Sequence, residues 1–170
     1  MKSIFLIGFM GAGKTTVGKF LAEKLRFTLI DTDSSIEIEQ GKAISEIFKV
    51  DGESAFRDLE VRQLEKLKNS ENSVISTGGG IILRSENCKI LKETFSVYLK
   101  ADFENIFKRI EEDSTRPLLL TDDPYNTAKD LFESRQDIYE SFKYHISTDF
   151  KNPSEISDEI ISLYKVHAQK

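Results

Sequence analysis

The chain has 170 residues, a formal net charge of −5 and 39% hydrophobic residues, which suits one folded domain and excludes general disorder. No apolar run approaches the roughly 20 residues of a membrane helix, and a pI of about 5.2 argues against a nucleic-acid partner. The single Cys88 excludes an intrachain disulfide, and two isolated histidines argue against a zinc site. The apolar run 4–7 is too short for a signal peptide, so we expect a cytoplasmic protein.

Strand-like and helix-like patterns alternate along the chain. This alternation predicts an α/β fold in which helices cover both faces of a parallel sheet. Short apolar runs are typical of strands buried inside such a sheet. They predict five strands, at residues 4–7, 27–30, 74–75, 95–99 and 145–148.

Helical patterns lie between the predicted strands. Gly52 separates two of these helices, Asp102 is the expected N-cap of a later one, and Asn152 with the following proline begins the last. Residues 113–124 lack helical periodicity and contain two prolines, so they are the best candidate for a mobile loop. The positions expected to be buried are Val17, Phe20, Leu21 and Leu25 in the first helix and Ile156, Ile160, Leu163 and Val166 in the last.

Residues 8–15 match the pattern G-x-x-x-x-G-K-[ST], between a predicted strand and a predicted helix. The glycines let backbone N–H groups approach phosphate oxygens, and the helix presents its positive dipole end to the anion. Lys14 can reach the β- and γ-phosphates, and the Thr15 hydroxyl can bind Mg²⁺. The sequence therefore predicts nucleoside triphosphate binding. The guanine-reading N-K-x-D motif is absent, which favours a small-molecule kinase over a GTPase.

A second group of residues is expected at the same edge of the sheet. Asp31 and Asp33 follow the second strand, and a period of two would point both the same way. One could hold the hydration shell of Mg²⁺ and the other deprotonate a hydroxyl. The alternative is a turn or a helix N-cap, since Asp33 precedes Ser34 and a helical stretch. The three glycines at 78–80 predict either close approach of a ligand to the backbone or a wide turn.

Three arginines are candidates for binding anions: Arg57, Arg116 and Arg135. A guanidinium beside an apolar stripe suits bidentate binding of a carboxylate. The alternative for each is an ordinary solvated charge.

Taken together, these motifs resemble the shikimate kinase family. The resemblance covers nearly the whole chain and rests on ordered pieces at 8–16, 31–33, 51–57, 78–80 and 116–119, with Arg135 and Tyr139 after them. It implies a P-loop kinase of nucleoside-monophosphate-kinase type with a five-stranded parallel sheet. It also implies a single domain, residues 1–170, with a substrate-binding region at about 32–62 and a lid at about 112–124.

The resemblance implies the ATP-dependent phosphorylation of the 3-hydroxyl of shikimate by a monomer that uses Mg²⁺. Asp33 is then the base, with Lys14 and Arg116 at the transferring phosphate. Thr15 binds Mg²⁺ directly and Asp31 binds it through water. The implied ATP site comprises Gly11, Ala12, Gly13, Lys14, Thr15, Thr16, Arg109, Arg116 and Pro153. The implied shikimate site comprises Asp33, Arg57, Gly78, Gly79, Gly80 and Arg135, supported by Phe48, Phe56 and Glu60.

Two positions depart from the family pattern. Lys151 stands where the family often has an arginine, so stacking of a guanidinium on adenine is lost there. The stretch 119–123 is also more acidic than expected beside ATP. The alternatives are a kinase of another hydroxy acid, such as gluconate, or a nucleotide-binding module without catalysis.

Overall fold

Five parallel strands form one sheet in the order β2-β3-β1-β4-β5. The structure, a computed structural model, describes residues 1–111 and 121–169. The strands are β1 (Ile4–Ile7), β2 (Thr28–Asp31), β3 (Ser73–Ser76), β4 (Phe95–Lys100) and β5 (Tyr144–Ser147). This confirms the α/β fold with a five-stranded parallel sheet.

Helices connect the strands. They are α1 (Lys14–Leu25), α2 (Thr32–Gln40), α3 (Ile44–Val50), α4 (Glu53–Leu67), α5 (Ser85–Glu93), α6 (Phe103–Ile110), α7 (Pro124–Glu140) and α8 (Pro153–Ala168), with a short 3₁₀ helix at Ile81–Leu83. In the part of the chain that the structure describes, none of these helices is long and apolar enough to cross a membrane.

The sheet has a hydrophobic core on each face because side chains alternate along a strand. Ile4 and Leu6 of β1 pack with α1 and α8, whereas Phe5 and Ile7 belong to the core on the opposite face. β1 pairs with β3 on one side and β4 on the other, which explains why its four residues are all apolar and buried. A smaller cluster of Ile36, Ile47 and Phe56 holds α2, α3 and α4 together.

Some predicted boundaries and buried positions differ in the structure. The second strand begins at Thr28 rather than at residue 27, because the Phe27 N–H donates to the Ala22 carbonyl at the end of α1. The fifth strand runs from Tyr144 to Ser147, one residue earlier than predicted. Phe20 and Val166 were expected to be buried but are 41% and 58% exposed.

The two exposed side chains have a common geometric cause. Each helix buries only the rows that face the sheet. In α1 those rows pass through Val17 and Leu21, and Phe20 lies beside them. In α8 they pass through Ile160 and Tyr164, which is 2% exposed, whereas Val166 is two positions further on and lies on the other side of the helix.

The predicted helix caps have mixed outcomes. Asn152 caps α8 as predicted, in a capping box with Glu155 and with proline in the first turn. Gly52, with φ of 85°, begins α4 after α3 ends. Asp102 occupies the N-cap position of α6, but its side chain makes no capping hydrogen bond. Its backbone N–H instead donates to Asp149 Oδ2 at 2.8 Å.

Candidate active site

The glycine-rich loop connects β1 to α1 at the carboxyl edge of the sheet. Gly11 has φ of 78°, and a Cβ placed on it would lie 2.7 Å from Cγ2 of Ile110. Only glycine fits this position without strain. The loop therefore approaches α6 closely and leads directly into the first turn of α1, where free N–H groups favour an anion.

Lys14 lies at the start of α1 and is only 8% exposed. Its Nζ donates to the carbonyl of Gly8 at 2.8 Å and to that of Phe9 at 2.9 Å. These bonds hold the ammonium group against the loop. Its positive charge is therefore positioned beside the place where phosphate oxygens would meet the loop N–H groups.

Three oxygen-bearing side chains meet next to the loop. Thr15 Oγ1 donates to Asp31 Oδ2 at 3.2 Å and lies 3.2 Å from Ser76 Oγ. One carboxylate with two hydroxyls is an all-oxygen donor set, which fits a hard divalent cation. Within residues 1–111 and 121–169, no group of three or more His, Cys, Asp or Glu could hold a metal. A cation here would therefore depend on phosphate oxygens and water for its remaining ligands.

A cavity of about 380 Å³ opens above this group. Arg109 stands at its wall, where Nη1 donates to the Gly11 carbonyl at 3.1 Å. Pro153 lies at the start of α8 and Ala12 is fully buried, and neither lines this cavity. The lining residues are Gly11, Gly13, Lys14, Thr15, Thr16, Asp31, Asp33, Ser76, Thr77, Gly78, Gly79 and Arg109.

A second cavity of about 530 Å³ adjoins the first. Asp33, Gly78 and Gly79 line both cavities, so these residues form the boundary between them. The remaining lining residues of the second cavity are Met10, Glu37, Ile44, Ser45, Phe48, Phe56, Arg57, Glu60, Gly80 and Arg135.

The two aspartates have different local roles. β2 ends at Asp31 and α2 begins at Thr32, so the prediction that both carboxylates follow one strand period is wrong. Asp31 Oδ1 accepts the N–H groups of Asp33 and Ser34 and thereby caps α2. The helix N-cap is therefore Asp31 and not Asp33, and the Oδ2 of Asp31 accepts from Thr15.

Asp33 has no capping role. Its Oδ1 is buried and has no hydrogen-bond partner among the described residues. Burial first, and the nearby Asp31 charge second, raise the pKa of Asp33 from 3.8 to about 6. The group is therefore a carboxylate near neutral pH that binds a proton more readily than an exposed aspartate.

Arg57 lines the second cavity and is 7% exposed. Its guanidinium donates to Glu60 at 2.7 Å and to Glu53 at 2.9 Å, and lies against the rings of Phe48 and Phe56. Burial opposes its charge, but the two glutamates raise the pKa of Arg57 above its ordinary value. The arginine is therefore not a solvated surface charge.

Glu60 lies beside Arg57 and accepts a hydrogen bond from it. It is fully buried, and burial raises its pKa to about 7 although Arg57 acts in the opposite direction. Its Oε1 has no hydrogen-bond partner in the part of the chain that is described.

Arg135 enters the cavity from α7 and is 5% exposed. Its Nη1 donates to the Gly79 carbonyl at 3.2 Å, and its guanidinium lies 5.8 Å from the centre of the Phe9 ring. Burial, and then the proximity of Arg57, lower the pKa of Arg135. Two buried guanidinium groups therefore face one cavity, where an anion would relieve their mutual repulsion.

The glycines at 78–80 bring bare backbone against three different groups. A Cβ on Gly78 would lie 2.5 Å from Asp33 Oδ1, and one on Gly80 would lie 2.2 Å from Arg57 Nη1. A Cβ on Gly79 would lie 3.1 Å from the backbone nitrogen of Met10. Packing of these protein groups against the backbone therefore requires glycine at all three positions. Binding of a ligand by the triplet stays a prediction.

Sequence reasoning missed two residues at this edge. Thr32 is fully buried, and its hydroxyl accepts the Gly78 N–H at 3.1 Å, which ties α2 to the glycine triplet. Ser76 ends β3 in register with Asp31, beside Thr15. The position of Ser76 at the end of a predicted strand, next to the glycine loop, is the sequence signal that could have identified it.

Arg116, with the rest of 116–119, lies outside the described residues.

Comparison with known proteins gives a consistent result. The shikimate kinase family model matches residues 10–165. The chain is 44% identical to the shikimate kinase of Caldicellulosiruptor bescii, over 100% of this chain and 99% of that protein. It is 48% identical to the shikimate kinase of Persephonella marina, over 95% of this chain and 98% of that protein.

Solved structures agree. The shikimate kinase of Acinetobacter baumannii in complex with shikimate superposes with a TM-score of 0.93 and 36% identity, over 100% of this chain and 96% of that one. A gluconokinase from Sinorhizobium meliloti shares the fold, with a TM-score of 0.60 and 17% identity over 99% of this chain and 97% of that one. The chain belongs to the shikimate kinase family.

Proposed function

We propose that the two adjoining cavities carry out the reaction of this family, the ATP-dependent phosphorylation of the 3-hydroxyl of shikimate in aromatic amino-acid biosynthesis. The observation that carries the proposal is the position of Asp33, which lines both cavities at their boundary. A phosphate-binding loop lies on one side of this carboxylate and two buried arginines lie on the other. A hydroxyl held beside Asp33 would therefore face the phosphate that it attacks.

The cavity beside the glycine-rich loop would hold the ATP phosphates. Residues 11–16 supply N–H groups, the Lys14 ammonium and the Thr15 hydroxyl. Arg109 at the cavity wall and Pro153 at the start of α8 would flank the adenine, and Arg116 would approach from the lid. These roles follow from the family resemblance together with the position of Arg109 beside Gly11.

The second cavity would hold shikimate. Arg57 and Arg135 supply two guanidinium groups for its carboxylate, and Phe48 and Phe56 supply an apolar wall. The bare backbone of 78–80 lets the ring approach closely. In the substrate complex, the carboxylate charge would offset the repulsion between the two buried arginines.

Asp33 would accept the proton of the 3-hydroxyl as that oxygen forms its bond to the γ-phosphorus. The bond from the γ-phosphorus to the β–γ bridging oxygen breaks, and ADP leaves. A pKa of about 6 keeps Asp33 ionised at neutral pH while leaving it able to take the proton. Lys14 would stabilise the negative charge on the transferring phosphate.

We propose Mg²⁺ as the divalent metal. Thr15 would bind it directly and Asp31 through water, next to the Ser76 hydroxyl. The metal would supply charge stabilisation on the phosphate oxygens. The single carboxylate of the donor set suits Mg²⁺, which retains several water ligands in protein sites.

The decisive experiment is a coupled ADP-release assay of the wild-type protein with shikimate, quinate and gluconate. We expect turnover with shikimate to exceed that with the other two acceptors. Preference for gluconate would support the other hydroxy-acid kinase. Tight ATP binding without turnover on any acceptor would support a binding module. In either of these cases the proposed function is wrong.

A further inference from the structure

The carbonyl of Gly79 is held by two side chains of α7. Tyr139 Oη donates to it at 2.7 Å, and Arg135 Nη1 donates at 3.2 Å. The two residues are four positions apart, so they lie on the same face of the helix. A carbonyl oxygen has two lone pairs, and both are used here.

This arrangement determines the orientation of the peptide that joins Gly79 to Gly80. The described chain contains no cis peptide bond, so the Gly80 N–H points opposite to the Gly79 carbonyl, away from α7. Gly80 lines the cavity that also contains Arg57 and Asp33. Gly80 is buried at the wall of this cavity, and within the described ranges its N–H donates to no backbone acceptor.

Tyr139 is built rigidly into the core behind this peptide. It is 1% exposed, and its ring stacks on Tyr98 with centroids 4.9 Å apart and planes 7° apart. Burial raises the pKa of Tyr139 well above its ordinary value, so the hydroxyl stays protonated and remains a donor. The stacked ring leaves the hydroxyl little freedom to move away from Gly79.

We propose that Tyr139 is a positioning residue for the acceptor substrate: by holding the Gly79 carbonyl together with Arg135, it aims the Gly80 N–H into the cavity and orients the Arg135 guanidinium. The inference rests on the proposed function, since the second cavity is taken to be the shikimate site. Tyr139 lines neither cavity, so it would not touch the substrate or the reacting atoms. Its effect reaches shikimate through Gly80 and Arg135.

The test compares Tyr139→Phe with Tyr98→Phe. Both variants remove one hydroxyl from the same buried aromatic stack, but the Tyr98 hydroxyl has no hydrogen bond to any residue that the structure describes. Loss of one net hydrogen bond predicts that Tyr139→Phe raises the KM for shikimate by about 3- to 10-fold. The KM for ATP and kcat should stay within about 2-fold of wild type, and Tyr98→Phe should leave all three unchanged.

A second measurement observes the peptide itself. The chain has nine glycines, so glycine-selective ¹⁵N labelling gives a simple amide spectrum. A hydrogen bond to a carbonyl polarises the whole peptide unit, and the Gly80 amide belongs to the same unit as the Gly79 carbonyl. We expect the Gly80 signal to move in Tyr139→Phe and to remain in place in Tyr98→Phe.

Three outcomes would overturn the inference while leaving the proposed function intact in an active wild-type enzyme. One is an unchanged KM for shikimate in Tyr139→Phe. Another is an equal rise in the KM values for shikimate and ATP. The third is a Tyr139→Phe chain that fails to fold although Tyr98→Phe folds, which would show that the Tyr139 hydroxyl is needed for folding. If the wild-type protein does not phosphorylate shikimate, it is the proposed function that fails.

Discussion

Replacing Asp33 with asparagine should lower activity and raise stability at the same time. The asparagine side chain is nearly isosteric with aspartate but carries no charge and accepts no proton. As the base, Asp33 should contribute about 10²- to 10⁴-fold to kcat. The same carboxylate is buried with Oδ1 unpartnered among the described residues, so its ionised form costs free energy in the folded protein.

The magnitude follows from the pKa of about 6 against the ordinary 3.8. The folded state binds the proton more tightly than the unfolded state. The contribution of protonated Asp33 to the free energy of unfolding is therefore fully present below pH 3.8. It is lost as the pH rises through about 6. At about 1.4 kcal/mol per pH unit, Asp33→Asn should stabilise the free protein by about 3 kcal/mol at pH 8 and by less than about 1 kcal/mol at pH 4.

Denaturant unfolding at several pH values measures this difference, and steady-state assays measure kcat. In the wild type, kcat/KM for shikimate should fall about tenfold per pH unit below about pH 6. Asp31→Ala is a comparison variant from the same turn. It removes the capping carboxylate of α2, which costs about 1 kcal/mol. It also removes a charge that raises the pKa of Asp33, which offsets part of that cost at pH 8. A stability difference between wild type and Asp33→Asn that is independent of pH would refute the desolvation argument, and an unchanged kcat would refute the role as base.

Three further predictions concern the walls of the two cavities. Lys14→Ala should abolish turnover, because the transferring phosphate loses its nearest cation. Substantial remaining activity in the coupled assay would contradict this role. Gly80→Ala should weaken shikimate binding far more than ATP binding, because its Cβ would lie 2.2 Å from Arg57 Nη1. Calorimetric titration with each ligand measures this, and equal losses would instead indicate misfolding. Removal of divalent metal with a chelator should stop turnover and added Mg²⁺ should restore it, with Asp31→Ala requiring more Mg²⁺ than wild type. An unchanged Mg²⁺ requirement would exclude Asp31 from the metal site.

Much of this molecule could be read from local patterns. The glycine-rich loop, the alternation of strands and helices, and the Asn152 capping box all depend on residues close together in the chain. Strand existence was predicted well because the four residues of β1 are apolar and buried on both faces. The compartment and the monomeric state stay predictions, as does the role of Arg116.

Other features depend on residues far apart in sequence. Asp31 and Asp33 are the same residue type two positions apart in the chain. Only their surroundings distinguish a helix cap from a desolvated carboxylate with a raised pKa. Tyr139 fits a helical stripe, and only its packing directs its hydroxyl at Gly79, sixty positions away. Phe20 fits the same kind of pattern but lies outside the buried row.

The sequence by itself determined the fold class, the phosphate loop and the family, because those properties are recorded in local spacing and composition. The tertiary structure decided which charges are buried, which carboxylate lies between the two cavities and which peptide the core holds in place. Desolvation and hydrogen-bond geometry depend on every element packed around a group, and such an environment is not contained in any one segment of the chain.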